Sequence, residues 1–203
     1  MSVEAVLQAL EVSPGALWTD GGPVVVPAAT RDAHLLRAFA AVRALGRGAE
    51  VGVEQGLYTR TLVDALPDVT VYAVDAWRPY RGYRDHVTQA KLDGFMAAAE
   101  ARLAGTRAQI VRGFSVEVAE QFPDRYLDFV YIDANHTLPQ VIADLAAWAP
   151  KVRSGGLIAG HDYGRGKVGH VREAVQAWTA AYGVAPWFVL AGDHSPSFCW
   201  VQP

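Results

Sequence analysis

Short runs of apolar residues alternate with longer stretches of helical periodicity through most of the chain. The apolar runs lie at 49–53, 69–74, 108–111, 127–132 and 157–159, and the helical stretches at 58–66, 85–104, 116–121, 139–149 and 168–182. Continuous apolar runs of this length are typical of parallel strands buried on both faces, with the helices as crossovers between them. The pattern therefore predicts a Rossmann-like, doubly wound and mostly parallel α/β sheet.

The two ends of the chain depart from this alternation. Helices are predicted at 1–12 and 31–45, separated by a Gly- and Pro-rich loop at 18–30. We expect residues 1–46 to form an N-terminal helical cap on a single domain that spans 1–203. Near the other end, two strands at 187–191 and 197–201 follow each other without a helix. One of these two strands should therefore run antiparallel to the rest of the sheet.

Composition narrows the class of protein. The 203 residues include 18 basic and 21 acidic side chains, which give a net charge of −3. This balance argues against nucleic acid as the main partner, because phosphate neutralisation requires clustered Lys and Arg. One cysteine, Cys199, excludes an intramolecular disulfide and a multi-cysteine metal site. There is no basic start of a secretory signal and no apolar run of roughly 18 residues, so we expect a cytoplasmic protein without a membrane partner.

Polar residues at strand ends are the candidates for function, because open sheets of this type bind ligands beyond the carboxyl ends of their strands. The segment 50–56 reads E-V-G-V-E-Q-G, in which Gly52 and Gly56 permit a tight turn before a helix N-terminus that favours a carboxylate. The third glycine of the dinucleotide fingerprint is missing, which disfavours a nicotinamide cofactor. Asp75 ends the next strand, where a carboxylate commonly binds ribose hydroxyls; helix capping or solvation is the alternative.

Two further segments have both a binding and a structural interpretation. Trp77 either covers an adenine ring or belongs to the core. In the segment Gly113, Phe114 and Ser115, the glycine and the small hydroxyl would let an adenine lie against the backbone. Ser115 also suits the N-cap of the next short helix.

Two neighbouring strands are followed by side chains that suit catalysis or metal binding. Asp133 follows one strand and the pair His161 and Asp162 follows the next. An unpaired carboxylate is costly to bury, so carboxylates at the rim of apolar strands suggest a function. Oxygen ligands suit Mg²⁺, Ca²⁺ or Mn²⁺, and a histidine shifts the preference towards a transition metal. His136 has a side chain suited to removing a proton near neutral pH, with helix capping as the alternative.

Together these residues resemble class I S-adenosylmethionine-dependent methyltransferases over about 49–163. The most specific part pairs F-V-Y-I-D-A-N-H at 129–136 with R-S-G-G-L-I-A-G-H-D-Y at 153–163. This pairing is similar to the small-molecule O-methyltransferases related to the macrocin and mycinamicin sugar methyltransferases. The resemblance implies the sites of the cofactor: the methionine portion at Glu50, Gly52 and Gly56, the ribose at Asp75, and the adenine along Gly113, Phe114 and Ser115. Trp77 and Asp133 are further candidates for cofactor contact.

The resemblance also implies a catalytic centre. In those sugar methyltransferases a divalent ion is held by an acid that maps to Asp133 and by an acidic pair that maps to His161 and Asp162. Because His161 replaces the first acid of the pair, either it is itself a ligand for Mn²⁺, Fe²⁺ or Zn²⁺, or no ion is bound. His136 matches the position of the general base.

The predicted reaction is an SN2 transfer of the methyl group from S-adenosylmethionine to a hydroxyl of a sugar or another vicinal diol, as in natural-product biosynthesis. Segments 75–85 and 163–169 are predicted to be flexible covers for this small-molecule acceptor. Three alternatives remain: methylation of nitrogen or carbon without a metal, a hydroxylase-like or non-catalytic member of the same architecture, and a nicotinamide oxidoreductase. The aromatic-rich C-terminal strands are compatible with a homodimer.

Overall fold

The computed structural model describes residues 3–13, 15, 21–80, 88–164 and 170–203. The helices are α1 (Val3–Ala9), α2 (Leu36–Val42), α3 (Leu57–Ala65), α4 (Gln89–Leu103), α5 (Ser115–Ala119), α6 (Leu138–Trp148) and α7 (Val171–Ala181). The strands are β1 (Val24–Val26), β2 (Arg47–Val51), β3 (Thr70–Asp75), β4 (Ala108–Arg112), β5 (Leu127–Ile132), β6 (Val152–Gly160), β7 (Trp187–Leu190) and β8 (Ser197–Val201). A π-helical turn, Arg31–Leu35, leads into α2, and a 3-10 turn, Ala149–Lys151, follows α6. Within these residues no helix is both long and apolar enough to cross a membrane.

The strands form one sheet in the order β1-β7-β8-β6-β5-β2-β3-β4. Strand β8 lies between β6 and β7 and runs antiparallel to both, while the other neighbouring pairs are parallel. The predicted doubly wound sheet and its one antiparallel C-terminal strand are therefore confirmed. After β4 the chain returns to the other side of β2, so the carboxyl ends of β2 and β5 flank the point where strand order reverses. Ligands bind at this point in such folds.

The predicted loop at 18–30 is wrong in one respect, because it contains β1. Val24, Val25 and Val26 pair in parallel with Phe188, Val189 and Leu190 of β7. Three valines between Gly- and Pro-containing turns are too short a pattern to identify a strand. The segment 1–46 therefore contributes a strand to the sheet as well as helices, and the helix predicted at 31–45 begins as a π-helical turn and ends at Val42.

The core lies on both faces of the sheet. Phe129 and Tyr131 of β5 point to the face covered by α1, α2 and α3, whereas Val130 and Ile132 point to the face covered by α5, α6 and α7. This alternation follows from the two-residue period of a strand. Every residue of β5 is buried, which explains its continuous apolar run.

One residue of β5 is nevertheless a carboxylate. Asp128 is 0% exposed and accepts hydrogen bonds from the backbone N–H groups of Ala44, Leu45 and Arg47 at 2.8–3.2 Å. The guanidinium of Arg153 donates to the same carboxylate at 2.8 Å. Asp128 thus binds the turn between α2 and β2 to the amino end of β5, opposite to the carboxyl ends of the strands.

Candidate active site

A cavity of about 1000 Å³ lies at the carboxyl ends of β2, β3, β4 and β5. This volume is at the upper end of the range for small-molecule sites. The cavity brings together most of the predicted cofactor and catalytic residues: Glu50, Gly52, Asp75, Trp77, Gly113, Phe114, Ser115, Asp133 and His136.

The two predicted glycines have different surroundings. Gly52 has a φ of +95°, and a Cβ atom there would lie 2.1 Å from the backbone oxygen of Asp133. A glycine is therefore required at this position, because the turns after β2 and β5 meet there. Gly56, with a φ of +73°, precedes α3 and faces Ala99 of α4. Gly56 is not among the described residues that line the cavity, so its contact with a cofactor stays a prediction.

Glu50 is a buried carboxyl group in the cavity wall. Glu50 is only 2% exposed, and the hydroxyl of Thr59 donates a hydrogen bond to its carboxyl group. Burial raises the pKa of Glu50 to about 8, and the neighbouring charge of Asp133 acts in the same direction, while Thr59 and Arg31 oppose the shift. The carboxyl group of the unliganded protein therefore holds a proton over much of the neutral range.

An arginine from the N-terminal segment reaches this part of the cavity, and the sequence pattern did not identify it. The guanidinium of Arg31 lies 4.3 Å from the ring centre of Tyr58 and donates to the hydroxyl of Tyr131 at 3.4 Å. The Arg31 backbone N–H donates to a side-chain oxygen of Asp193 at 2.6 Å, which anchors the π-helical turn. Arg31 thus places a planar cation in the wall that also contains Glu50, where it suits recognition of a carboxylate.

Asp75 organises the turn after β2. One of its oxygens accepts from the N–H groups of Val53 and Glu54 at 3.0 and 2.9 Å, and the other accepts from Trp77 at 2.9 Å. A carboxylate oxygen has lone pairs for more than one donor, so a ribose contact stays a prediction beside this structural role. Trp77 is 1% exposed, and its indole N–H donates to the carbonyl of Glu54 at 2.8 Å. Trp77 also lines the cavity, so its contact with an adenine ring stays a prediction.

The segment predicted to contact adenine also forms part of the cavity wall. A Cβ atom at Gly113 would lie 2.6 Å from a methyl group of Val118, so glycine permits the turn into α5. The N-cap of α5 is Phe114, and the N-cap predicted for Ser115 is wrong. The hydroxyl of Ser115 instead accepts a hydrogen bond from the indole of Trp148 at 2.9 Å, which connects α5 to α6.

The four predicted catalytic and metal-binding residues converge after β5 and β6. These strands are parallel neighbours, with Ile132 opposite Gly160, so the residues that follow them meet. The nitrogens of His136 lie 3.5 Å from an oxygen of Asp133 and 3.5 Å from an oxygen of Asp162. Nδ1 of His161 lies 3.6 Å from a carboxylate oxygen of Asp133 and 3.4 Å from a carboxylate oxygen of Asp162. Asp162 has a φ of +55°, a conformation uncommon for residues other than glycine.

This cluster fits a small divalent ion. Ligand atoms of Asp133, His136 and Asp162 lie within 4.8 Å of one another, and Nδ1 of His161 approaches both carboxylates as closely. An ion about 2.1 Å from two ligands at right angles holds them about 3 Å apart, so small side-chain movements would complete the site. The geometry offers both histidines as ligands, whereas the sequence pattern indicated His161.

A hydrogen bond joins the segments that follow β3 and β5. The side-chain amide of Asn135 donates to the hydroxyl of Tyr80 at 2.8 Å, and its oxygen accepts from the N–H of Thr137 at 2.8 Å. Both Tyr80 and Asn135 line the cavity. The predicted covers are described only in part, because residues 81–85 and 165–169 lie outside the described residues.

A family model described as a methyltransferase domain matches residues 49–163. These residues include most of those that line the cavity. No curated protein sequence matches the chain.

Three solved structures illustrate the structural likeness. A provisionally assigned caffeoyl-CoA O-methyltransferase from Staphylococcus aureus has 15% identity and a TM-score of 0.57, with 80% of this chain and 79% of that chain covered. A provisionally assigned O-methyltransferase from Klebsiella pneumoniae has 18% identity and a TM-score of 0.58, with 98% and 89% covered. The O-methyltransferase NovP has 19% identity and a TM-score of 0.56, with 77% and 72% covered. At these identities the likeness concerns the fold.

Proposed function

The chain belongs to the methyltransferase domain family and is a class I S-adenosylmethionine-dependent methyltransferase, and from this premise we propose that it methylates a hydroxyl oxygen of a small molecule carrying two neighbouring oxygens. The observation that carries the proposal is the position of His136 between the carboxylates of Asp133 and Asp162. Solved structures with the same fold are named as O-methyltransferases, which supports oxygen as the acceptor atom.

The reaction requires alignment and removal of a proton. The methyl carbon of the sulfonium is already electrophilic, so the acceptor oxygen attacks it as the carbon–sulfur bond breaks and S-adenosylhomocysteine leaves. A nitrogen of His136 accepts the hydroxyl proton, which typically accelerates such a step by about 10²- to 10⁴-fold. The carboxylates of Asp133 and Asp162 stabilise the imidazolium that forms. Alignment of the two reactants in one cavity lowers the barrier further.

Asp133, His161 and Asp162 are the residues that would hold a divalent ion, which leaves His136 as the base. A bound ion supplies Lewis-acid chemistry that makes a neighbouring hydroxyl easier to deprotonate. Vicinal hydroxyls of a sugar or catechol would suit the site, because one oxygen could face the residues that would hold the ion while His136 takes the proton of the other.

Methyl transfer to simple acceptors tests the proposal. Purified protein with labelled S-adenosylmethionine and Mn²⁺ should methylate 3,4-dihydroxybenzoate or a pyranoside with vicinal hydroxyls, and mass spectrometry should identify a methyl ether. The 3-hydroxybenzoate analogue lacks the second hydroxyl and 3-aminobenzoate lacks both, so each should react more slowly. Methylation of the amine in preference to every diol would contradict the proposal.

Metal binding is expected to depend on Asp162. Titration of Mn²⁺ followed by electron paramagnetic resonance should show one site per chain, and Asp162→Asn should weaken it by at least about tenfold, since loss of even an outer contact costs this much. Asp124→Asn is the control, because Asp124 pairs with Lys151 at the surface. If the wild-type protein binds neither Mn²⁺, Fe²⁺ nor Zn²⁺, or if Asp162→Asn binds Mn²⁺ equally well, the assigned ligands are wrong.

Cofactor binding is expected to release a proton from Glu50. Burial holds the pKa of this carboxyl near 8 in the unliganded protein, and the ammonium and sulfonium charges of S-adenosylmethionine favour its ionised form. Affinity should therefore rise with pH from 6 towards 8 and level off above the unliganded pKa. Calorimetry at pH 7 in buffers of different ionisation enthalpy measures the released proton.

Glu50→Gln is the matched variant for this prediction, since its amide cannot ionise. It should bind without proton release from this position, whereas Glu120→Gln, an exposed residue of the same type, should behave as wild type. Equal proton release by wild type and Glu50→Gln would exclude Glu50 as the source.

A further inference from the structure

Asp144 is a buried carboxylate in the cavity wall that the proposed mechanism does not use. It lies in the middle of α6 and is 1% exposed. It lines the same cavity as Gly113, Phe114 and Ser115. Its Oδ1 atom accepts no hydrogen bond from any residue that the structure describes.

The surroundings of Asp144 suit a ligand that donates a hydrogen bond. Burial raises its pKa to about 6, and interaction with the Ser115 side chain acts in the opposite direction. The indole of Trp148 donates to the oxygen of Ser115, which leaves the Ser115 proton available for the carboxylate. A buried acceptor without a donor is costly, so a donor from a bound molecule would complete the site.

The position of Asp144 separates it from the reacting groups. It follows the first residue of α6 by six positions, which places it about 9 Å along the helix, whereas His136 precedes the helix. Because its carboxyl group interacts with the Ser115 side chain, Asp144 faces the part of the cavity that 113–115 line. In the proposed function this part holds the adenine of the cofactor.

We propose that the carboxylate of Asp144 accepts a hydrogen bond from the exocyclic amino group of the cofactor's adenine and so selects adenine over purines with an oxygen at C6. This inference rests on the proposed placement of the cofactor in the cavity. The 6-amino group of adenine is a donor, whereas the 6-oxo group of hypoxanthine is an acceptor. A carboxylate that faces this oxygen receives no hydrogen bond. The cost of leaving such a buried polar group unpaired makes a site strongly reject the 6-oxo analogue.

Binding of cofactor products with altered bases tests the inference. Calorimetry should show that the wild-type protein binds S-adenosylhomocysteine about 10- to 100-fold more tightly than S-inosylhomocysteine. In Asp144→Asn the amide can donate to the 6-oxo group, so the ratio should fall towards one or reverse. Asp124→Asn, a surface change of the same type, should keep the wild-type ratio. If Asp144 has a merely structural role, Asp144→Asn should lower thermal stability and leave the ratio of affinities unchanged. This result would overturn the inference.

A second measurement needs no variant. The S-homocysteine derivative of purine riboside lacks the 6-amino group and should bind the wild-type protein about 10- to 100-fold more weakly than S-adenosylhomocysteine. Equal affinity for the two would overturn the inference even if Asp144→Asn does not fold. If the wild-type protein does not bind S-adenosylhomocysteine at all, both the proposed cofactor placement and the inference fail. If it binds S-adenosylhomocysteine but does not discriminate between the bases, only the inference fails.

Discussion

Replacing His136 by alanine should lower the rate of methyl transfer about 10²- to 10⁴-fold, the usual contribution of a general base. The imidazole lies 3.5 Å from oxygens of both Asp133 and Asp162, so its removal takes away the proton acceptor at the reacting oxygen. Affinity for S-adenosylhomocysteine should be largely retained, because other residues are proposed to bind the cofactor. The measurement is kcat for the best diol acceptor at saturating cofactor, beside calorimetry of S-adenosylhomocysteine.

The same variant distinguishes the two possible roles of this histidine. If His136 is the base, His136→Ala should bind Mn²⁺ as the wild-type protein does; if it is a ligand, Mn²⁺ affinity should fall together with turnover. His194→Ala is the control, because His194 is an exposed histidine before β8. Full turnover by His136→Ala would show that neither proton removal nor metal binding depends on this residue.

Replacing Asp128 by alanine should lower the free energy of unfolding by about 3–5 kcal/mol, the usual cost of removing one partner from a buried ion pair. The change leaves the guanidinium of Arg153 and three backbone N–H groups without their acceptor. A loss of this size is a large fraction of the stability of an ordinary domain. Urea denaturation followed by circular dichroism measures it.

Asp124→Ala is the control for this effect. The Asp124 carboxylate is 69% exposed and pairs with Lys151 at 2.7 Å, and exposed pairs of this kind contribute about 1 kcal/mol or less. Since Asp128 lies at the amino end of β5, the folded fraction of Asp128→Ala should still bind S-adenosylhomocysteine. A change in unfolding free energy as small as that of Asp124→Ala would refute the role assigned to Asp128.

The order of strands and helices could be predicted from the sequence, because buried apolar residues recur with a spacing that is typical of each element. The five apolar runs between 49 and 159 predict parallel strands, and each strand is found at or near its predicted position. The same alternation placed Asp133 and Asp162 after two strands of one sheet, where the carboxyl ends of parallel neighbours must meet. Short or irregular elements have too few residues to show such a pattern, and β1 and the π-helical turn before α2 were therefore not predicted.

The sequence by itself therefore determined the sheet, the side of it that binds ligands, and the acids and histidines at its rim. Tertiary structure decided which side chains contact one another there. Arg31 reaches Tyr131 across a hundred residues of sequence, and Asp144 faces the cavity because α6 packs beside α5; neither contact follows from local periodicity. Asp75 likewise accepts hydrogen bonds from backbone N–H groups of the turn after β2. The position of an aspartate at the end of a strand does not predict this role. Side-chain direction depends on how helices pack across the sheet, and that packing is a property of the whole fold.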